Sequence, residues 1–562
     1  MMRPNLDDAL HNMSDYDALQ LPQTCVTLPL SPLASARLSS SRNGPLALSL
    51  SLEDHAGMIL SQNPAFLLTC AQMAAAGRLT IEQGLSGFEL MQAAGAAVAK
   101  QALRLISSKA GRILVLCGPG NNGGDGLIAA RLLQDHGLHV IVAALSPEKP
   151  WTGDAAKAQQ FWTGPILPLS ETILTQVDLV IDGLFGAGLT RALDEPTTIL
   201  IQAINAFIKE KQIKLLAIDL PSGVNGDTGA IMGAALEADA TVTFFQRKPG
   251  HLLLPGRALC GQIHVEQIGI APQVMSEICL DHFANEPCLW ASVFPQPART
   301  GHKYHRGHVL VLSGNAISTG AARLAARGAL RCGAGLVTLA SPSEALAVNA
   351  AHLSAIMLRR CDGPHDLKEL LQDQRKNAFV IGPGLGTGHL TRVLVETALR
   401  DRTTSRALVL DADALTSCAG KAEDLATWIK AYAGPVVLTP HEGEFARLFP
   451  DYKGSRLERA RKAATQMGAV ILLKGADSIV AHPDGRASIA ANAPAFLASA
   501  GAGDVLCGFI AALLAQAMPA FEAASAAVWL HGECASAFGP GLIAEDLPEI
   551  LPKILHDLAE AR

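Results

Sequence analysis
Apolar and polar positions fall in blocks along this chain, and the period of the blocks changes. Between residues 71 and 106 the apolar positions recur at helical spacing, with Met73, Leu79, Leu85, Leu90, Met91 and Val98 on one face. From Arg112 the pattern becomes a short apolar run, a glycine-rich loop and a helix. Residues 113–117 form such a run, as a strand buried on both faces does. Residues 118–124 are the loop, and 125–136 read as helix with Gly137 as its C-cap. Further buried strands are predicted at 140–145, 179–181, 215–218 and 242–245. A turn-rich stretch at 271–300 breaks the pattern, and a second set of strands follows at 308–312, 336–340, 379–381, 408–410, 436–438, 470–473 and 479–481. Helices complete the chain from Asp504 onward.

Strands alternating with helices predict α/β architecture: two three-layer domains, each a largely parallel sheet with helices on both faces. The boundary falls in the turn-rich stretch, giving domains at 61–275 and 295–562. The two halves show no alignable repeat, so they read as a fusion of unlike domains. Residues 1–60 are low in periodicity and rich in turn formers, which predicts a poorly ordered extension, with Met58 as an alternative start.

Composition narrows the function classes. Of 562 residues, 49% are hydrophobic and only 4% aromatic, so the cores are aliphatic and alanine-rich. A net charge of −6 gives no basic footprint for nucleic acid. The apolar run at 505–515 is shorter than a membrane span and reads as a core helix. Eleven cysteines without a CxxC pair fit reduced thiols in a cytoplasmic protein rather than a disulfide framework or a zinc site. The acidic N-terminal residues do not read as a secretory signal.

Three strand ends in the first half carry chemistry. Cys117-Gly-Pro-Gly-Asn-Asn-Gly-Gly-Asp-Gly126 joins a strand to a helix, where backbone amides approach an anion. It contains GxGxxG, but no acid follows at the end of the second strand, which argues against a dinucleotide dehydrogenase. Asp182 opens a second glycine loop, and Asp219 and Ser222 lie in a third. Amide, carboxylate and hydroxyl oxygens without thiol or imidazole suit a hard cation. In the second half, Ala500-Gly-Ala-Gly-Asp504 opens an apolar helix. The amides of residues 502–504 would hold a transferring phosphoryl group, and Asp504 would accept a proton from the attacking hydroxyl. His441, Glu442 and Glu444 form a cluster for substrate or water-bridged magnesium, and Lys474 ends a strand in position for phosphate. Residues 313–315 lead into Thr319-Gly-Ala-Ala-Arg323, a possible cap for a cleft-lining helix.

The ordered runs GPGNNGGDG, DGLFGAGLTR, DLPSGVNGDTG and FFQRKPGHLLLPG resemble the YjeF N-terminal family of NAD(P)H-hydrate epimerases, with a Rossmann-like domain. The resemblance implies a potassium ion held by Asn122, Asp182 and Ser222. It implies that the hydrated nucleotide meets Asn121, Asn122, Gly123, Gly124, Asp125, Gly186, Ala187, Gly188, Leu189, Thr190, Arg191 and Asp219, with Asp219 as acid/base. The runs GHVLVLSGN, VIGPGLG, LDADAL, LTPHEGEFARL, LLKGADSIV and AGAGDVLCG resemble the ribokinase-like YjeF C-terminal family of NAD(P)H-hydrate dehydratases. That resemblance implies that Lys474, Gly475, Ala476, Asp477, Ser478 and Gly503 contact an adenine nucleotide. Ala321, Gly384, His441 and Asp504 would face the hydrate. The residue between the last two glycines, usually Ser or Thr, is Ala502, which removes a hydroxyl but keeps the amides.

The expectation is a bifunctional repair enzyme. It would interconvert the R and S hydrates of NADH and NADPH, then dehydrate the S form with ADP, K+ serving the first half and Mg2+ the second. A cytoplasmic homo-oligomer without nucleic-acid or membrane partners is expected. Two other readings stand beside it: a ribokinase-like kinase for a vitamin precursor, and a non-catalytic binding module in the first half.

Overall fold
The computed structural model describes residues 66–106, 111–170, 177–298, 300–402 and 404–560. The expected disordered extension at 1–60 and the alternative start at Met58 lie outside these residues. Seven strands form the first sheet: β1 (Arg112–Cys117), β2 (His139–Ala144), β3 (Ile166–Pro168), β4 (Leu179–Gly183), β5 (Lys214–Ile218), β6 (Ala240–Phe244) and β7 (Gln262–Glu266). Their order is β3-β2-β1-β4-β5-β6-β7, with every neighbouring pair parallel.

The second sheet has ten strands: β8 (His282–Ala284), β9 (His308–Leu312), β10 (Leu336–Ser341), β11 (Met357–Arg360), β12 (Ala378–Ile381), β13 (Ala407–Leu410), β14 (Val436–Leu438), β15 (Val470–Leu473), β16 (Ile479–Ala481) and β17 (Ala487–Ile489). Its order is β11-β10-β9-β12-β13-β14-β15-β16-β17-β8, parallel except where β16 runs against both its neighbours.

Burial on both faces explains the continuous apolar runs. In β1, Ile113, Val115 and Cys117 enter one core cluster while Leu114 and Leu116 enter another. In β9, Val309 and Val311 enter one cluster, and Leu310 and Leu312 the opposite one. Alternate side chains therefore meet helices on opposite faces, the α/β arrangement that the pattern predicts. In each sheet the strand order reverses direction once, between β1 and β4 and between β9 and β12. Such reversals leave a crevice at the carboxyl ends of the strands.

Several local readings shift. The helical block at 71–106 is two helices, Cys70–Glu82 and Gly87–Leu105, each started by a capping box, Thr69 with Gln72 and Ser86 with Glu89. The helix expected from residue 125 begins at Asn121, so both asparagines belong to its first turn. The stretch 271–300 contains β8, which pairs with β17, and Trp290, which is fully buried in the second core. β8, β3 and β17 contain His282, Pro168 and Ser488, so they lack the unbroken apolar run that marks the equally short β14 and β16. The edge strands β7 and β11 are half exposed and lack a continuous apolar run.

The first glycine loop is packed by contact with its neighbours. A Cβ at Gly118 would lie 1.8 Å from the Leu184 carbonyl oxygen, and one at Gly123 would lie 2.0 Å from the Gly118 carbonyl oxygen. Gly120 has open space around it. Gly118→Ala is therefore expected to lower stability by about 3 kcal/mol in thermal or denaturant unfolding, because backbone must move. Gly120→Ala is expected to cost less than about 1 kcal/mol. Equal losses would contradict this packing.

Candidate active sites at two sets of strand ends
The first site forms where β4 and β5 end. Asp182 is fully buried and accepts three hydrogen bonds: from Ser222 Oγ (2.6 Å), from Ser222 N (2.7 Å) and from Leu184 N (3.2 Å). Burial pushes its pKa up to about 6 against the pull of these donors. It makes no ion pair among the described residues. Asn122 lies alongside, its backbone oxygen 2.9 Å from the Cβ position of Gly183 and its side-chain oxygen 2.9 Å from that of Gly186. The Asn122 amide nitrogen is buried without a hydrogen-bond partner.

Asp219 follows β5 in the left-handed region, with φ +65°. Its two oxygens face different ways. Oδ1 accepts from Lys248 Nζ (2.5 Å) and Thr243 Oγ1 (2.9 Å). Oδ2 accepts from Ala187 N (3.1 Å) and lies 3.3 Å from the Cβ position of Gly186, beside Asn122. Lys248 is 1% exposed and also donates to Thr243 Oγ1 (2.9 Å). His251 Nε2 lies 2.7 Å from the Asp219 carbonyl oxygen. Burial works against a charged Asp219, but the Lys248 ammonium prevails and holds its pKa below the usual range. Asp125, buried in the helix Asn121–Asp135, is pushed well above its usual value by burial and by the charge of Asp219. Burial also lowers His251 to about 4, so its ring is neutral.

The structure thus brings Asn122, Asp182, Gly186, Asp219 and Ser222 together. Asn121, Gly188, Thr190 and Arg191 are exposed at the rim, with Leu189 half-buried. The sequence reading left Lys248, Thr243 and His251 without roles. The available signal was a lysine in the apolar stretch after a buried strand, and a threonine at a buried strand position.

The second site forms where β13, β14 and β15 end. The helix Ala502–Ala515 starts at Gly501 with no side chain capping it; Ala502 N donates to the Ser499 carbonyl (3.4 Å), which leaves the next amides, of Gly503 and Asp504, for a ligand. Lys474 Nζ lies 3.4 Å from the Cβ position of Gly503. It is fixed by Asp411, whose Oδ1 accepts from Nζ at 2.6 Å and whose Oδ2 accepts from Cys507 Sγ at 3.1 Å. Glu444 Oε2 is 3.9 Å from the same nitrogen. Burial opposes the Lys474 charge, but these anions hold its pKa above the ordinary value. Asp504 sits in the first turn rather than capping the helix, half-buried, with its pKa raised to about 7 by burial first and then by Asp411. Buried His531, lowered to about 4 by burial, has Nε2 2.9 Å from the Ala502 carbonyl oxygen.

Other predicted residues line the same end of the sheet. Gly384 sits 3.2 Å from Ala321 by its Cβ position, and Leu324 on the same helix reaches Gly501. His441 is exposed and caps its own helix, its Nδ1 accepting from Gly443 N (3.0 Å). Glu442 is not available for a cation as expected: Arg456 (2.6 Å) and Arg459 both bind its carboxylate, so the magnesium reading of that residue is withdrawn. Gly475 and Ala476 are exposed, whereas Asp477 is buried, accepting from Leu254 N (2.9 Å). Ser478 closes the turn by donating to the Gly475 carbonyl (2.7 Å). Asp411 was quoted in a motif but given no role; the strand-end rule that singled out Asp182 and Asp219 applies to it equally.

Two family descriptions match this chain: "YjeF-related protein N-terminus" over residues 87–250 and "NAD(P)H-hydrate dehydratase" over residues 309–555. A protein of Coxiella burnetii named bifunctional NAD(P)H-hydrate repair enzyme is 35% identical over 485 residues, covering 84% of this chain and 95% of the relative. The chain belongs to the bifunctional NAD(P)H-hydrate repair family. The Escherichia coli protein of that name is 35% identical, covering 84% of this chain and 90% of the relative. Among solved structures, an ADP/ATP-dependent NAD(P)H-hydrate dehydratase from Bacillus subtilis, co-crystallised with ATP/Mg2+, is 30% identical with a TM-score of 0.42, covering 48% of this chain and 95% of that one.

In this member of the family, the charge of Asp411 is a principal cause of the raised Asp504 titration. Asp411→Asn is expected to move the Asp504 midpoint down from about 7 toward the ordinary carboxylate range, followed by carboxyl-carbon NMR. An unmoved midpoint would leave burial, with the charges of Asp413 and Glu444, as the cause.

Proposed function
We propose that this enzyme repairs hydrated NADH and NADPH, epimerising the R and S forms in its first half (61–275) and dehydrating the S form with ADP in its second (295–562). The observation that carries this reading is Asp504 beside an uncapped helix start that Lys474 overlooks. Only a phosphoryl donor and a hydroxyl acceptor need that combination of amides, ammonium and base.

In the second half, the amides of Gly503 and Asp504 and the side chain of Lys474 hold the terminal phosphoryl group of ADP. Asp504 accepts the proton of the substrate hydroxyl, whose oxygen takes the phosphoryl group, leaving AMP. Phosphate is a better leaving group than hydroxide, and the ring nitrogen's electron pair expels it. Loss of a proton from the neighbouring carbon then restores the reduced nicotinamide. A pKa near 7 suits Asp504 to this role, ionised in part at neutral pH and able to hold the proton it receives. Gly475, Ala476 and Ser478 would line the nucleotide, while Ala321, Gly384 and His441 would face the hydrate. Mg2+ would arrive on the nucleotide's phosphates and offset their charge.

In the first half, Oδ2 of Asp219 faces the space beside Gly186 and Asn122 where the hydrated ring would lie. The hydrated carbon adjoins the ring nitrogen, so its hydroxyl leaves as water once protonated and water returns to the other face. Asp219 acts as acid and base in turn: it gives the departing hydroxyl a proton and takes one from the returning water, while the enclosed Lys248 ammonium favours its return to the ionised state. The rim residues Asn121, Gly123, Gly124, Asp125, Ala187, Gly188, Leu189, Thr190 and Arg191 would bind the rest of the nucleotide. The Asp182 pocket fits a monovalent cation: a fully buried carboxylate with only neutral donors lacks a positive partner, and the oxygens of Asn122 and Ser222 adjoin it. K+ there would anchor the loops around the substrate.

Among the described residues no helix is long and apolar enough to cross a membrane. Cys70, Cys117, Cys260, Cys332, Cys361, Cys418, Cys507 and Cys534 are free thiols, which supports a reducing compartment, the cytoplasm.

Asp504→Asn is expected to cut ADP-dependent formation of reduced nicotinamide by about a thousandfold or more while leaving epimerisation unchanged. In the unmodified enzyme that rate should rise as pH passes through about 7 and then level, because the base works ionised. Asp182→Ala should do the converse, removing epimerisation and its potassium response while sparing dehydration of pure S hydrate. Loss of both activities in either variant would contradict the division of labour.

A further inference from the structure
One short segment of the first half reaches both sites. Its start carries Lys248 and His251, which hold Asp219 by its carboxylate and its carbonyl. Its middle, Leu252 and Leu253, is buried in a core cluster that otherwise comes mainly from the second sheet and its helices, at 5% and 2% exposure. Its end lies against the loop after β15. Leu254 N donates to Asp477 Oδ2 at 2.9 Å, and Arg257 Nη1 donates to the carbonyl oxygens of Ala476 and Ala491, both at 3.1 Å. Arg456 flanks Asp477 from the second half, 3.4 Å from Oδ1, and donates to the Lys474 carbonyl at 3.1 Å.

Gly475 and Ala476 are exposed; Ser478 Oγ holds Gly475 by its N–H (3.1 Å) and its carbonyl (2.7 Å), and Arg257 holds the Ala476 carbonyl. The loop's first residue, Lys474, reaches the helix start, and its last, Ser478, closes the turn through Oγ and accepts from Ala490 N at 2.9 Å through its carbonyl. We infer that Arg257, a residue of the epimerase half, is a positioning residue for the nucleotide loop of the dehydratase half. The inference rests on the assignment of residues 474–478 to the nucleotide. Arg257 touches no substrate in this scheme. It holds two carbonyls in the geometry in which the exposed backbone of Gly475 and Ala476 meets ADP, so that the free loop loses less freedom on binding. The dehydratase half of this fused chain thereby depends on the epimerase half for part of its nucleotide affinity.

The test uses the full-length protein and ADP binding by calorimetry, with the steady-state KM for ADP beside it. Arg257→Ala is expected to weaken ADP binding about five- to tenfold and raise KM for ADP to match, with kcat within about twofold. Arg257→Lys, which retains a cationic donor, should recover part of the affinity. Epimerisation without nucleotide should stay within about twofold of the unmodified enzyme, since Arg257 contacts none of the groups around Asp219. Unchanged ADP affinity in the folded Arg257→Ala protein would overturn the inference, as would parallel loss of kcat and epimerisation, the mark of general disruption. Failure of the unmodified protein to bind ADP would instead overturn the nucleotide assignment itself.

Discussion
A lysine ammonium anchored by one buried aspartate, at the open start of an apolar helix, is the interaction on which the second site depends. Lys474 is mostly enclosed, and an enclosed ammonium persists only with an anion in contact. Asp411 supplies that contact at 2.6 Å and is itself only 2% exposed. The pair fixes the ammonium beside the first amides of the helix, where developing phosphate charge is best met. The same aspartate disfavours ionisation of Asp504 and so sets the carboxyl that must take a proton. One buried charge therefore serves both the anion-binding and the proton-accepting parts of the site.

The first site repeats the device with the roles exchanged. There the lysine is the enclosed supporting charge, at 1% exposure, and Asp219 is the group whose free oxygen faces the crevice. Removing one member of such a pair leaves an uncompensated charge, typically a loss of about 3–5 kcal/mol. Both sites occupy the carboxyl ends of parallel strands, the first beside the reversal between β1 and β4, so the helices and loops that bear them converge without a dedicated scaffold. The segment from Lys248 to Arg257 then ties the two crevices into one body.

Much of this was legible before any coordinates. Double-sided burial writes unbroken apolar runs, and β9, β14, β15 and β16 fall at the residues the pattern marks. The glycine loops carry their own signature because Gly118 and Gly123 admit no side chain. What stayed hidden was either interrupted, exposed or distant in sequence. β8 and β17 are interrupted by His282 and Ser488, so neither shows the unbroken apolar run of the equally short β14 and β16. Lys248 gave no sign of lying behind Asp219, since 29 residues and a strand crossover separate them. Glu442 looked like a ligand until Arg456 and Arg459 were seen to claim it. Strand ends point reliably to acids, but the partners that tune them come from packing, which one sequence does not display.

The most direct test of this chemistry is to give the unmodified protein ADP and a mixture of both hydrate epimers, and count products. Reduced nicotinamide, AMP and inorganic phosphate should form in equal amounts until both epimers are consumed. A phosphorylated hydrate that accumulates without reduced nicotinamide would mark the second half as a simple kinase. Conversion that stops once the S form is exhausted would deny the first half its epimerase role.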